Sequence, residues 1–169
     1  MKKRIQDMDV KNKRVLLRCD FNVPVKNGKI LDDSKIVASL NTIDYLIKEG
    51  ARIIILSHFG KVKTEEDKKN NSLAIVAKHL QKLVSTKVIF SKQPKSLYLE
   101  AKINSMLPGE IIVLENTRFE DVPDRLESDN DSQLALYWSS LADIFCLDAF
   151  GSAHRNQDWE QKWVKKQTI

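Results

Sequence analysis

Short aliphatic runs alternate along the chain with longer stretches in which apolar residues recur every three or four positions. The runs Arg14 to Cys19, Arg52 to Ser57, Lys87 to Phe90, Glu110 to Leu114 and Ile144 to Asp148 are rich in β-branched and other aliphatic residues, the composition of strands covered on both faces. Between them, Ile36, Leu40, Ile43 and Leu46 share one helical face, and Ile75, Val76, His79, Leu80 and Leu83 share another. Ser34 and Ser72 are placed to cap these helices, and Gly50 to end the first. Leu97 to Met106 and Gln133 to Ala142 predict two more, with Pro108-Gly109 closing the earlier one. Strand and helix alternating in this order predict an α/β fold: a doubly wound, mainly parallel sheet with helices on both faces, a Rossmann-like arrangement of three layers. Val62 to Asn71 and Glu120 to Asp131 read as loops, the first a solvated, charged one.

With 169 residues the chain has the length of one domain, and 42% hydrophobic content is too much core material for a disordered chain. No apolar run approaches the ~18 residues that a membrane helix needs, so no membrane partner is expected. The first residues carry positive charge with no apolar segment behind them, so residence in the cytoplasm is expected. The net charge of +5 is spread among acids rather than gathered into a stripe, which argues against a nucleic-acid partner. Cys19 and Cys146 each sit inside an aliphatic run, without the paired spacing of a metal site, and read as packing residues. A monomer is expected.

In open parallel sheets, ligands bind outside the carboxyl ends of the strands, where loops carry side chains and helix starts offer unpaired N–H groups. The first strand is followed by Arg18-Cys19-Asp20-Phe21-Asn22-Val23-Pro24, with Ser34-Lys35 opening the next helix. The second is followed by Ser57-His58-Phe59-Gly60-Lys61, the fourth by Glu115-Asn116-Thr117-Arg118-Phe119, and the fifth by Asp148-Ala149-Phe150-Gly151-Ser152-Ala153-His154-Arg155. Arg18, Lys35, His58, Lys61, Arg118, His154 and Arg155 are therefore expected at one sheet edge. Such cations suit a small molecule bearing phosphate and carboxylate, with Asp20 and Asn22 placed to orient a hydroxyl group. The chain has no P-loop, no dinucleotide glycine fingerprint and no nucleophile elbow. A phosphatase with Asp20 as nucleophile would want a second aspartate at the place of Asn22. His79, on an apolar stripe, reads as structural.

These strand-end motifs, in their order and spacing from Val15 to Arg155, resemble those of the phosphoglycerate kinase family, specifically its amino-terminal, acid-binding half. The resemblance implies that residues 1–155 form a 3-phosphoglycerate-binding domain facing a second domain, absent from this chain, that binds magnesium-ATP across a hinged cleft. Asp20 and Asn22 would hold the hydroxyl and carboxylate region of the acid. Arg18, His58, Lys61, Arg118 and Arg155 would hold the acid and its phosphate, with His154 beside them. Lys35 stands where the family has the arginine that stabilises the phosphoryl group in transfer, which makes it the catalytic candidate. Lys61 likewise replaces an arginine, and a lysine lacks the bidentate fork. The reaction implied is reversible phosphoryl transfer between ATP and the carboxylate of 3-phosphoglycerate, as in glycolysis. Residues 156–169, with Trp159 and Trp163, form an atypical tail. No site for magnesium-ATP is expected in these residues, so binding without turnover is expected of them. The alternative is a non-enzymatic anion-binding or interaction domain, in which the two tryptophans meet a partner.

Overall fold

The computed structural model describes residues 4–148. Its main sheet holds five strands: β1 (Arg14–Cys19), β4 (Arg52–Leu56), β5 (Val88–Ser91), β6 (Ile111–Leu114) and β7 (Ile144–Asp148). They lie in the order β5-β6-β4-β1-β7, and every neighbouring pair is parallel. A small hairpin of β2 (Val25–Lys26) and β3 (Lys29–Ile30) stands apart from it. The α-helices among the described residues are α1 (Ser34–Lys48), α2 (Glu65–Asn70), α3 (Ala74–Leu83), α4 (Leu97–Asn104) and α5 (Ser132–Ser140).

Alternation along each strand builds two cores. Val15, Leu17, Ile53, Ile55 and Val113 face one side, where Ile36, Ile43 and Leu46 of α1 and Val76 and Leu80 of α3 cover them. Leu16, Ile54, Leu56, Ile112 and Leu114 face the other, against Leu99 and Ile103 of α4 and Leu134 and Trp138 of α5. A strand apolar on both pleat faces is stable only between two helical layers, and the expected three-layer α/β/α fold is the one observed. The Trp138 indole donates to the Pro94 carbonyl at 2.9 Å, so the largest side chain of the second core also leaves its polar atom satisfied.

Several local expectations are corrected. Ser34 is the first residue of α1 rather than its cap; Asp33 is the N-cap, and Asp32 accepts from the Ser34 amide at 2.8 Å. Leu73, not Ser72, occupies the cap position of α3. Val62 to Asn71 is not all loop: Thr64 accepts from the Asp67 amide at 3.2 Å while Asp67 accepts from the Thr64 amide at 3.0 Å, a reciprocal box that starts α2. Thr117–Asp121 winds as a 3-10 turn in what reads as a loop start. The β2–β3 hairpin turns through Asn27 and Gly28, both at positive φ, the geometry of a tight two-residue hairpin turn. Cys19 is buried, whereas Cys146 is only partly so.

Candidate functional site

Because β6, β4 and β1 are neighbours, their carboxyl ends deliver three loops side by side. Buried polar residues tie them together from below. The Ser57 hydroxyl accepts from the Phe21 amide at 2.9 Å, and the Thr117 amide donates to the Ser57 carbonyl at 3.1 Å, so the first residue after β4 fixes both flanking loops. Asn116, fully buried, accepts from the amides of Phe59 at 3.1 Å and Arg118 at 3.0 Å. Its Nδ2 donates to the carbonyls of Phe59 at 2.6 Å and Asn71 at 2.9 Å. Glu115 accepts from the Leu73 amide at 2.8 Å and the Ser72 hydroxyl at 2.6 Å, fastening the start of α3 to the same loop. Burying these groups is tolerable because each finds its partners.

Gly60 is the junction of the rim. Its amide donates to Asn22 Oδ1 at 2.9 Å, and its carbonyl accepts from Arg118 Nη1 at 3.4 Å. One residue thus joins the loops after β1, β4 and β6. Its φ is +58°, and a Cβ there would run into the Asn71 side chain, so the position requires glycine.

The candidate residues divide by depth. Asp20 and Asn22 are half-buried after β1, with Asp20 Oδ1 accepting from the Asn22 amide at 3.1 Å. Lys35, exposed at the start of α1, places Nζ 3.1 Å from Asp20 Oδ2. His58 is half-buried on the loop after β4. Lys61 is exposed and shares with Arg118, Lys63 and Arg125 the wall of an open cleft of about 540 Å³.

Arg18 departs from the expected placement. It points to the same side of β1 as Leu16, into the layer of α4 and α5, and its side chain is 0% exposed. There Nη2 lies 3.3 Å from Glu127 Oε1, and Nη1 donates to Thr117 Oγ1 at 3.4 Å. Glu127, 2% exposed, also lies 3.9 Å from Arg118 Nε. Arg18 therefore supports the rim from beneath, and its partner Glu127 lies in the stretch Glu120 to Asp131, which reads from sequence as a loop without a site residue. Removing one member of such a buried pair costs about 3–5 kcal/mol, since the other charge is stranded. His154 and Arg155 lie outside the described residues, as do Trp159 and Trp163.

At the far side of β1, burial and the neighbouring Asp148 carboxylate push the Cys19 thiol well above its ordinary range, and the same two causes push Cys146 up to about 12. Both thiols stay protonated at neutral pH, which suits packing rather than chemistry. Among the described residues, no group of three His, Cys, Asp or Glu side chains is placed to hold a metal ion, and His79 is engaged with Asp33 at 2.8 Å.

Comparison with known proteins fits this geometry. The family model for phosphoglycerate kinase matches residues 5–161. The chain is 50% identical to a phosphoglycerate kinase of Macrococcus caseolyticus over 155 residues, which is 92% of this chain and 39% of the relative. It is 51% identical to that of Fusobacterium nucleatum, with the same coverage. Among solved structures, the phosphoglycerate kinase of Pyrococcus horikoshii superposes with a TM-score of 0.77 at 35% identity, covering 91% of this chain and 38% of that one. The Coxiella burnetii structure gives 0.74 at 38% identity, covering 89% and 36%. The chain spans about two fifths of the length of these relatives, and over nearly its whole length it belongs to the phosphoglycerate kinase family.

Proposed function

We propose that the rim built by the loops after β1, β4 and β6 binds 3-phosphoglycerate, and that the chain serves in reversible phosphoryl transfer between ATP and the carboxylate of that acid. The observation that carries this reading is the junction at Gly60, where loops from three adjacent strands are locked together beneath a set of cations. Family membership supplies the identity of the acid.

Each residue has a role consistent with its placement. Asn22 Oδ1 is occupied by Gly60, leaving Nδ2 to donate toward the hydroxyl and carboxylate end of the acid beside Asp20. His58, Lys61 and Arg118 supply donors and positive charge for the phosphate, together with His154 and Arg155. Lys35 supplies a mobile cation for the phosphoryl group in transfer, and Asp20 holds it at the rim in the meantime. Arg18 acts indirectly, through Glu127. Protein work in such a reaction is positioning and charge stabilisation, which a rim preorganised by buried amides and carboxylates can provide.

No helix among the described residues is long and apolar enough to cross a membrane; residence in the cytoplasm, as of a glycolytic enzyme, is proposed from family membership. A polypeptide of these 169 residues alone, which spans 39% of the length of a relative, is proposed to bind the acid without phosphorylating it. An ATP-dependent rate from it would overturn that part.

Calorimetric titration with 3-phosphoglycerate, 2-phosphoglycerate and inorganic phosphate tests the binding. The first is expected to bind selectively, and Arg118→Ala to weaken it about tenfold or more, the loss of charged hydrogen bonds. Equal binding of all three would instead indicate a nonselective anion-binding domain.

A further inference from the structure

The proposed phosphate contact, Arg118, rests on a carboxylate that no strand-end motif contains. Glu127 lies well down the chain from β1 yet is buried between two guanidinium groups, with Arg18 Nη2 at 3.3 Å from Oε1 and Arg118 Nε at 3.9 Å from Oε2. Thr117 Oγ1 donates to Oε1 at 3.4 Å, fixing the carboxylate to the turn that carries Arg118. Arg118 Nε is itself buried and makes no hydrogen bond among the described residues, so the Glu127 charge is what faces the inner edge of this guanidinium. At the outer edge, Nη1 reaches the Gly60 carbonyl at 3.4 Å. The side chain is thus held at both ends.

We propose that Glu127 is a positioning residue for the anion site: it orients Arg118 from behind, and Arg18 is the counter-charge that makes a carboxylate at that depth tolerable. The division of labour explains why a fully buried arginine stands in the same strand-end motif as the half-buried Asp20 and Asn22. Two guanidiniums around one carboxylate also leave one net positive charge, which the rim presents to a solute. This inference rests on the proposed binding of 3-phosphoglycerate.

Two effects of removing the Glu127 charge oppose each other, which makes the test decisive. If the carboxylate only offsets positive charge, its loss tightens anion binding; if it orients Arg118, its loss weakens it. Calorimetry with 3-phosphoglycerate on the full chain should show Glu127→Gln binding about tenfold more weakly, the lower end of the loss seen when a partner that orients a metal-ligating side chain is removed. In an Arg118→Ala background the same substitution should change affinity less than about twofold, because the group it orients is gone. A fold defect would persist in both backgrounds. Since Glu127→Gln strands Arg18, Arg18→Met/Glu127→Gln removes both buried charges and provides a second variant with the same two predictions. Unchanged or tighter binding, or equal losses with and without Arg118, would overturn the inference. Failure of the parent chain to bind 3-phosphoglycerate would instead overturn the proposed function.

Discussion

Lys35 Nζ lies 3.1 Å from the Asp20 carboxylate, pairing the first turn of α1 with the loop after β1. The lysine side chain is 48% exposed, so the pair adds little to stability, and its value lies in where it parks a cation. Lys35→Ala is expected to move Tm by less than about 2 °C while weakening 3-phosphoglycerate binding several-fold. Lys35→Arg, with a planar pair of donors, is expected to tighten it about threefold. Thermal melts and calorimetry on the same preparations check both, and an unchanged affinity in Lys35→Ala would remove Lys35 from the site.

Gly60→Ala tests the junction. The residue sits at φ +58° with the Asn71 side chain where a Cβ would go. The substitution is expected to cost about 1–3 kcal/mol, read from urea unfolding, with a matching loss of binding because both the Asn22 and Arg118 contacts run through this residue.

Asn116→Ala removes four hydrogen bonds from a fully buried side chain and leaves the Phe59 and Arg118 amides without their acceptor. A destabilisation of about 2–4 kcal/mol is expected. Asn116→Asp keeps the acceptor and loses the donors to Phe59 and Asn71, so denaturant midpoints should rank parent, then Asp or Ala, with no variant equal to the parent.

Acid sensitivity follows from Asp143. Its hydrogen bonds from the Arg14 side chain, at 3.0 and 3.3 Å, and amide, at 2.9 Å, hold the carboxyl below the usual aspartate range. A depressed folded-state pKa stabilises the protein above the unfolded value, and that contribution is lost as pH falls through the folded value. Asp143→Asn should therefore melt below the parent at pH 7, with the gap closing as pH falls below about 4. A gap independent of pH would contradict the ion-pair explanation.

The layers of the fold are legible in the sequence because the strands are apolar on both faces, a pattern that only a sandwiched sheet accommodates. The bounds of β1 and β7 match the aliphatic runs residue for residue, whereas β5 starts and ends one residue later than its run. Elements defined by local polar chemistry are harder to read. The Thr64–Asp67 box and the Asn27-Gly28 turn are both visible as short motifs, but they lie in charged stretches where apolar periodicity says nothing. Strand-end position places Asp20, Asn22, His58 and Arg118 on loops at one edge of the sheet, since parallel strands all present their carboxyl ends on the same side. It does not tell which face of β1 a residue takes, so Arg18 reads as a rim residue although the pleat turns it inward. Glu127 carries no motif at all; only the folded chain brings it under Arg118.

Amide chemical-shift mapping during titration with 3-phosphoglycerate locates the binding surface residue by residue. Saturable shifts are expected at Asp20 to Asn22, at Lys35, from His58 to Lys61 and at Arg118, with the outer faces of α4 and α5 silent. Shifts confined to those helices, or none at millimolar acid, would contradict a phosphoglycerate site at the junction of the three loops.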